Sequence, residues 1–199
     1  EEVNLDIDFD LEKLVPKLNS PDIKSLEDAS KMINSAKKPI IAIGLTAFRY
    51  GLGDVINELI KNNNIPVVVT PMAKGLVSED LEFYAGVLFH AKSEIVANIY
   101  RQADLVIGIG YDPIEFSYED WMPVVPLVHI DTEAADISSE YSQIHNVLGD
   151  IEKSIAALNT SVTSNFDWEA QEIVDNKKEL YEALTPRTKN LNPSDVVVA

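Results

Sequence analysis

Short apolar runs set the rhythm of this chain. Residues 40–44, 65–70, 83–89, 105–109, 126–131 and 144–149 are each rich in Ile, Val, Leu, Phe or Tyr. Runs of this length predict strands buried on both faces, as in a parallel sheet covered by helices. Between them, apolar residues fall at helical spacing. Leu26, Ala29, Ile33 and Met32 or Ala36 share one face of a helix starting near Ser25. Val55, Ile56, Leu59 and Ile60 do the same over residues 54–63, and Ile95, Val96 and Ile99 over 93–102. A further amphipathic helix runs from Asp150 to Leu158. Ser25, with Asp28 three residues on, predicts a capping arrangement. This alternation predicts an α/β fold. It would be a three-layer αβα Rossmann-like domain over residues 22–158, with a parallel sheet of about six strands and right-handed crossovers.

The run at 105–109 is the one the rest is organised around. Gly108 and Gly110 let a ligand or a neighbouring backbone come close. Pro113 then stops regular structure. Ligands of open α/β sheets sit beyond the carboxyl ends of the strands, which puts Tyr111, Asp112 and Glu115 at such an edge. Residues 44–53 read as a glycine-punctuated turn, 71–75 as a loop and 159–165 as a polar linker. Residues 167–184 predict another helix, with Trp168, Ile173, Leu180 and Leu184 on a stripe. Residues 186–193 read as a second linker. Residues 1–21 are acidic and poorly periodic and read as a linker too.

Charge narrows the choice of partners. Among 199 residues, 33 acids against 16 bases leave a net charge of −17. Such a surface repels phosphate backbones and anionic lipids, so neither a nucleic-acid nor a membrane partner is expected. No apolar run approaches the ~20 residues of a membrane-spanning helix, and a cytoplasmic location is expected. The absence of cysteine excludes disulfides, thiolate metal sites and cysteine nucleophiles. A hydrophobic share of 46% suits one compact domain with extensions.

The usual motifs of nucleotide chemistry are missing. Gly44, Gly51 and Gly53 do not have the G-x-G-x-x-G spacing, and there is no G-x-x-x-x-G-K-[ST] loop. His90, His129 and His145 have no metal-ligand spacing. His129 lies within a strand and reads as a satisfied core residue, His145 as a surface one. His90 ends an apolar run beside Lys92, and a pocket wall and an ordinary loop are both open to it. Asp112 and Asp131 each follow a strand directly. An acid there can accept bonds from ribose hydroxyls, or cap the next helix or a loop amide, and both readings stand. Trp121 reads as an anchor pinning its loop, and both a phosphate partner and the commoner solvated cation are open to Lys74. No pair reads as nucleophile and base, so no catalytic residue and no metal ligand is assigned.

Seven segments in one order carry a resemblance. They are Lys37-Lys-Pro-Ile-Ile41, Ile65-Pro-Val-Val-Val-Thr-Pro-Met-Ala-Lys-Gly75, Tyr84-Ala-Gly-Val87, Ala103-Asp-Leu-Val-Ile107, Gly108-Ile-Gly-Tyr-Asp-Pro-Ile-Glu-Phe116, His129-Ile-Asp131 and Leu148-Gly-Asp-Ile151. Together, from about Asp22 to Leu158, the chain resembles the central domain of thiamine-diphosphate-dependent enzymes of the acetolactate synthase type. The resemblance implies a full-length transferase that uses thiamine diphosphate and Mg. It would decarboxylate pyruvate and ligate the product to a 2-oxo acid, in branched-chain amino acid or acetoin metabolism. In that family the activating glutamate lies in a preceding domain, and a G-D-G…Asn motif in a following one. Here Gly149-Asp150 continues with Ile151. Residues 1–21 are thus implied to lead from an N-terminal domain and 159–199 towards a C-terminal one. The segment by itself is implied to be inactive, with those domains as partners and a homo-oligomer at full length. Other readings are a stand-alone nucleotide-binding or structural module, or the same domain from a thiamine-dependent oxidase or 2-oxo acid decarboxylase.

The family's central domain binds FAD in some members, ADP in others and nothing in others. FAD-binding synthases carry an arginine-rich segment after the central strand. Tyr111-Asp-Pro-Ile-Glu-Phe116 stands here instead, as in flavin-free catabolic synthases, which points away from FAD. The resemblance implies a nucleotide, where one binds, at Gly44, Leu45 and Thr46, at Thr70 and Met72, at Leu88 to His90, at Gly110, Tyr111 and Asp112, and at Asp131 and Thr132.

Overall fold

A computed structural model of the chain describes residues 18–89, 92–111, 123–136, 143–163 and 165–185. Helix α1 (Ile23–Ser35) leads into strand β1 (Pro39–Ile43), and a short helix α2 (Leu45–Arg49) and α3 (Gly53–Asn63) follow. Next come β2 (Val67–Val69), a 3-10 turn at Pro71–Ala73, β3 (Tyr84–Val87) and α4 (Ser93–Tyr100). Strands β4 (Leu105–Ile109), β5 (Leu127–Asp131) and β6 (Ile144–Leu148) precede α5 (Ile151–Ser161) and α6 (Ala170–Leu184).

The strands form one six-stranded sheet in the order β3-β2-β1-β4-β5-β6, and every pairing is parallel. The expected α/β architecture is therefore the one found. Ile41 of β1 pairs with Val67 on one side and Ile107 on the other. All residues of β1, β4 and β5 are buried, which explains why the sequences of β1 and β4 carry no polar alternation. Helices cover both faces: α1, α3 and α5 pack together, as do α4 and α6. The order reverses between β1 and β4. That switch point leaves a crevice at the carboxyl ends of the strands.

Local chemistry fixes the joints. Asp104, just before β4, accepts the backbone N–H groups of both Lys37 (2.7 Å) and Lys38 (2.9 Å), and so ties the entry of β1 to the entry of β4. The expected cap at Ser25 and Asp28 is not the one formed. Asp22 caps α1 by accepting the N–H of Ser25 at 2.8 Å. The Ser25 hydroxyl instead donates to the carbonyl of Asn146 at 2.7 Å, and Asp28 pairs with Lys31. The glycine-punctuated turn at 44–53 also contains more order than expected, since Leu45–Arg49 makes one helical turn too short to show periodicity.

Asp150 caps α5, accepting the N–H of Lys153 at 3.1 Å. Its hydrogen bond to Lys153, above all, holds its carboxyl below the usual 3.8. Asp150→Ala should cost about 1 kcal/mol of unfolding free energy at neutral pH. A depressed carboxylate stabilises above its unfolded value and loses that contribution as pH falls through its folded one. The gap between the two proteins in urea unfolding should thus close below pH 3.8. A gap that stays constant down to the acid limit would show that the charge plays no part.

Candidate functional site

A cleft of about 560 Å³ opens at the carboxyl end of the sheet. Thr46, Arg49 and Tyr50, which follow β1, form one wall. His129 and Asp131 of β5 form the other, with the loop from Thr132 to Asp136. The elements explain the placement. Gly44 ends β1 and turns the chain into α2, so that Thr46 and Arg49 overhang the sheet. His129 and Asp131 are two apart on β5 and point to the same face.

Hydrogen bonds hold the acidic wall. Asp131 Oδ1 accepts the Thr132 N–H (2.6 Å) and the Thr132 hydroxyl (3.2 Å). Asp131 Oδ2 lies 3.9 Å from His129 Nε2, which is also 3.2 Å from the carbonyl oxygen of Glu133. Asn146 of β6 accepts the N–H of Ala135 at 3.2 Å and steadies the loop. Among the described residues, the charged side chains of the cleft besides His129 are Asp131, Glu133 and Asp136 against Arg49. Such a lining suits hydroxyl groups and weak cations better than a diphosphate.

The proposed nucleotide positions divide. Thr46, Asp131 and Thr132 line the cleft. Gly44, Leu45 and Gly110 lie beneath it, where the turn after β1 crosses the turn after β4. Gly44 N–H donates to Ile109 O at 3.1 Å and Thr46 N–H to Gly110 O at 3.2 Å, so these two amides are turned onto protein rather than towards a ligand. A Cβ on Gly44 would collide with the carbonyl oxygen of Gly110, and a Cβ on Gly110 with the backbone nitrogen of Ala47. Of the two readings for Gly110, the close approach is therefore made by backbone.

Tyr111 is fully buried, with its hydroxyl 3.4 Å from that of Tyr100. Burial pushes the Tyr100 phenol up to about 12, while its contact with Tyr111 pulls the other way. Thr70 and Leu88 are buried at the ends of β2 and β3, and the Thr70 hydroxyl has no partner among the described residues. Met72 is exposed beside them. His90 and Asp112 lie outside the described residues, as do Glu115 and Trp121. Lys74 pairs with Glu79 at 2.6 Å.

The sequence did not mark Tyr50, Glu133 or Asp136, and it assigned His129 to the core. His129 is only 3% exposed, so it is buried and yet forms part of the cleft wall. Its i, i+2 relation to Asp131 was the available signal. Among the described residues, no group of three His, Cys, Asp or Glu side chains could hold a metal ion. No described helix is long and apolar enough to cross a membrane.

Comparison with known proteins agrees with this geometry. Residues 26–158 match the family profile described as "Thiamine pyrophosphate enzyme, central domain". The acetolactate synthase of Bacillus subtilis is 32% identical over 143 residues, which are 70% of this chain and 25% of that protein. The acetolactate synthase large subunit of Corynebacterium glutamicum is 28% identical over 186 residues, 90% of this chain and 29% of that protein. A solved structure from Mycobacterium smegmatis, provisionally assigned as a thiamin diphosphate-dependent enzyme, superimposes with a TM-score of 0.62. At 23% identity it covers 77% of this chain and 30% of its own, and supports the fold. The chain thus spans a quarter to under a third of the length of these relatives.

Proposed function

We propose, because this chain belongs to the family of thiamine pyrophosphate enzyme central domains, that it is the scaffold domain of an acetolactate-synthase-type enzyme. The whole enzyme would decarboxylate pyruvate and ligate the product to a 2-oxo acid. The observation that carries the reading is the match over residues 26–158, on a sheet whose order reverses at the cleft. Thiamine diphosphate supplies the carbanion chemistry of that family. The described residues do not fit it, since the cleft sets one guanidinium against three carboxylates and no metal-ligand cluster is present among them. Thiamine diphosphate and Mg would be held by further domains of the same polypeptide, flanking residues 22–158, in a cytoplasmic homo-oligomer. What this domain does is position those domains against one another.

The cleft is the place for an adenine nucleotide if the domain takes one. Asp131 and Thr132 would meet a ribose there, with Thr46 opposite. A flavin dinucleotide would bring a diphosphate into an acidic cleft with Arg49 as its guanidinium. ADP brings the same diphosphate, so both should bind weakly; ADP, lacking the flavin ring system, asks less of the cleft of about 560 Å³ and should be the tighter of the two. Calorimetric titration of the chain with each nucleotide decides this. A protein purified yellow, or FAD affinity in the micromolar range or tighter, would overturn it.

The larger reading has its own test. The complete reading frame should convert pyruvate to acetolactate and CO₂ with thiamine diphosphate and Mg²⁺, and the 199-residue chain should give neither above the blank. Turnover by the pure chain would sink it. So would a complete reading frame that lacks both flanking domains.

A further inference from the structure

Away from the cleft, α6 and β3 enclose a second cavity, of about 210 Å³. Its walls are apolar at one end, formed by Val87, Leu180 and Leu184. Lys74, Glu79 and Lys177 also line it. The contacts place these three at the opposite end. Lys177 Nζ donates to the carbonyl oxygens of Glu79 (3.0 Å) and Leu81 (3.1 Å), ahead of β3, while Leu180, one helical turn on, lies over Gly86. The two lysines and Glu79 leave one net positive charge in a chain that carries −17. Two of the three ammonium protons of Lys177 are engaged by these carbonyls.

Tyr84 belongs to the same lining. It is 4% exposed, and its hydroxyl is buried with no hydrogen-bond partner among the described residues. Buried hydroxyls without a partner are uncommon, and each calls for a reason. Burial first, then Glu79 and then Tyr181, push this phenol well above its ordinary value. Tyr84 shares this lining with Lys74, Glu79 and Lys177. A neutral phenol in that place is a donor waiting for an acceptor.

We propose that this cavity is a binding site for a short-chain aliphatic carboxylate. The carboxylate accepts from the Tyr84 hydroxyl and faces Lys177, and the tail lies along Val87, Leu180 and Leu184. Charge complementarity selects the anion, because a bound carboxylate cancels the local positive charge. The apolar far end selects a hydrocarbon tail over a phosphate or a sugar. The site is independent of the cleft and of the thiamine reading.

Sodium hexanoate is the probe, titrated into the isotope-labelled 199-residue chain while amide resonances are followed. Saturable shifts should gather at Val87, Leu180 and Leu184, with a dissociation constant on the order of 1 mM for a ligand of this size. Hexan-1-ol, equal in tail and uncharged, should bind roughly tenfold more weakly. Tyr84→Phe removes an unpartnered oxygen and should still fold, yet weaken hexanoate about fivefold to tenfold. Lys177→Met keeps the aliphatic stem and should weaken it similarly, while leaving hexan-1-ol unchanged. Shifts scattered over the surface, equal binding of acid and alcohol, or unaltered affinity in both variants would overturn the assignment.

Discussion

Gly110→Ala should be among the most damaging single-methyl changes in the protein, costing about 2–5 kcal/mol of stability. Two causes add. Gly110 has φ +55°, a left-handed conformation that costs an L side chain roughly 1–2 kcal/mol. The new methyl would also strike the Ala47 backbone nitrogen and lie 2.9 Å from the Thr46 carbonyl carbon. Those atoms are backbone and cannot swing aside, so crowding adds about 1–3 kcal/mol. Gly75 supplies the control, since its φ is +88° but a Cβ there meets nothing within 4 Å. Gly75→Ala should therefore lose only the strain, about 1–2 kcal/mol. Urea unfolding of both variants measures the difference. If the two lose the same amount, the crossing of the β1 and β4 turns is looser than described, and the base of the cleft is not fixed by it.

That crossing marks the limit of what the residues disclosed. Strand β4 was legible because Leu105 to Ile109 is apolar except for one glycine, and only a strand buried on both faces needs such a run. Helix α1 was legible through Ala29 and Ile33, both buried. Its cap was not, because Asp22, Ser25 and Asp28 are all plausible caps and only the tertiary bond from Ser25 to Asn146 removes one of them. In the cleft, Asp131 could be read from its place at the end of a strand, and Thr132 only through the family resemblance. Tyr111 could not: it follows β4 immediately, yet it turns inward to Tyr100, eleven residues earlier in the chain. Tyr50, Glu133 and Asp136 sit on loops whose approach across the sheet depends on the order of the strands, and no local pattern carries that order. His129 was read as core because it lies inside a strand, and it is buried. That a buried residue also walls a cleft follows only from where the strand ends.

The second large effect concerns the segment after α5. Trp168→Ala should cost about 3–5 kcal/mol, the range for emptying a buried aromatic site. Trp168 is 7% exposed and donates its indole N–H to Pro39 O at 2.7 Å, at the start of β1. Lys38 lies 4.5 Å above its ring and reaches Glu172 at 3.2 Å. Asp167 N–H adds a bond to Lys37 O at 2.8 Å. These contacts hold the entry of α6 at the entry of β1, from which α6 runs on to β3 and α4. The residues from 165 to 185 thus pack on the domain, and losing the indole should loosen α6 beyond its share of global stability. Hydrogen exchange makes the distinction. Amides of α6 should exchange well before those of β1 and β4 in Trp168→Ala, and together with the neighbouring strands in the parent chain. Trp168→Phe keeps most of the ring but leaves the Pro39 carbonyl, at a buried contact, without its donor, so it should cost about 1–3 kcal/mol, less than the alanine change. Equal protection of α6 and the central strands in Trp168→Ala would mean that Leu180 and Ile173 hold the helix without the indole, and that the joint at β1 is ornamental to its docking.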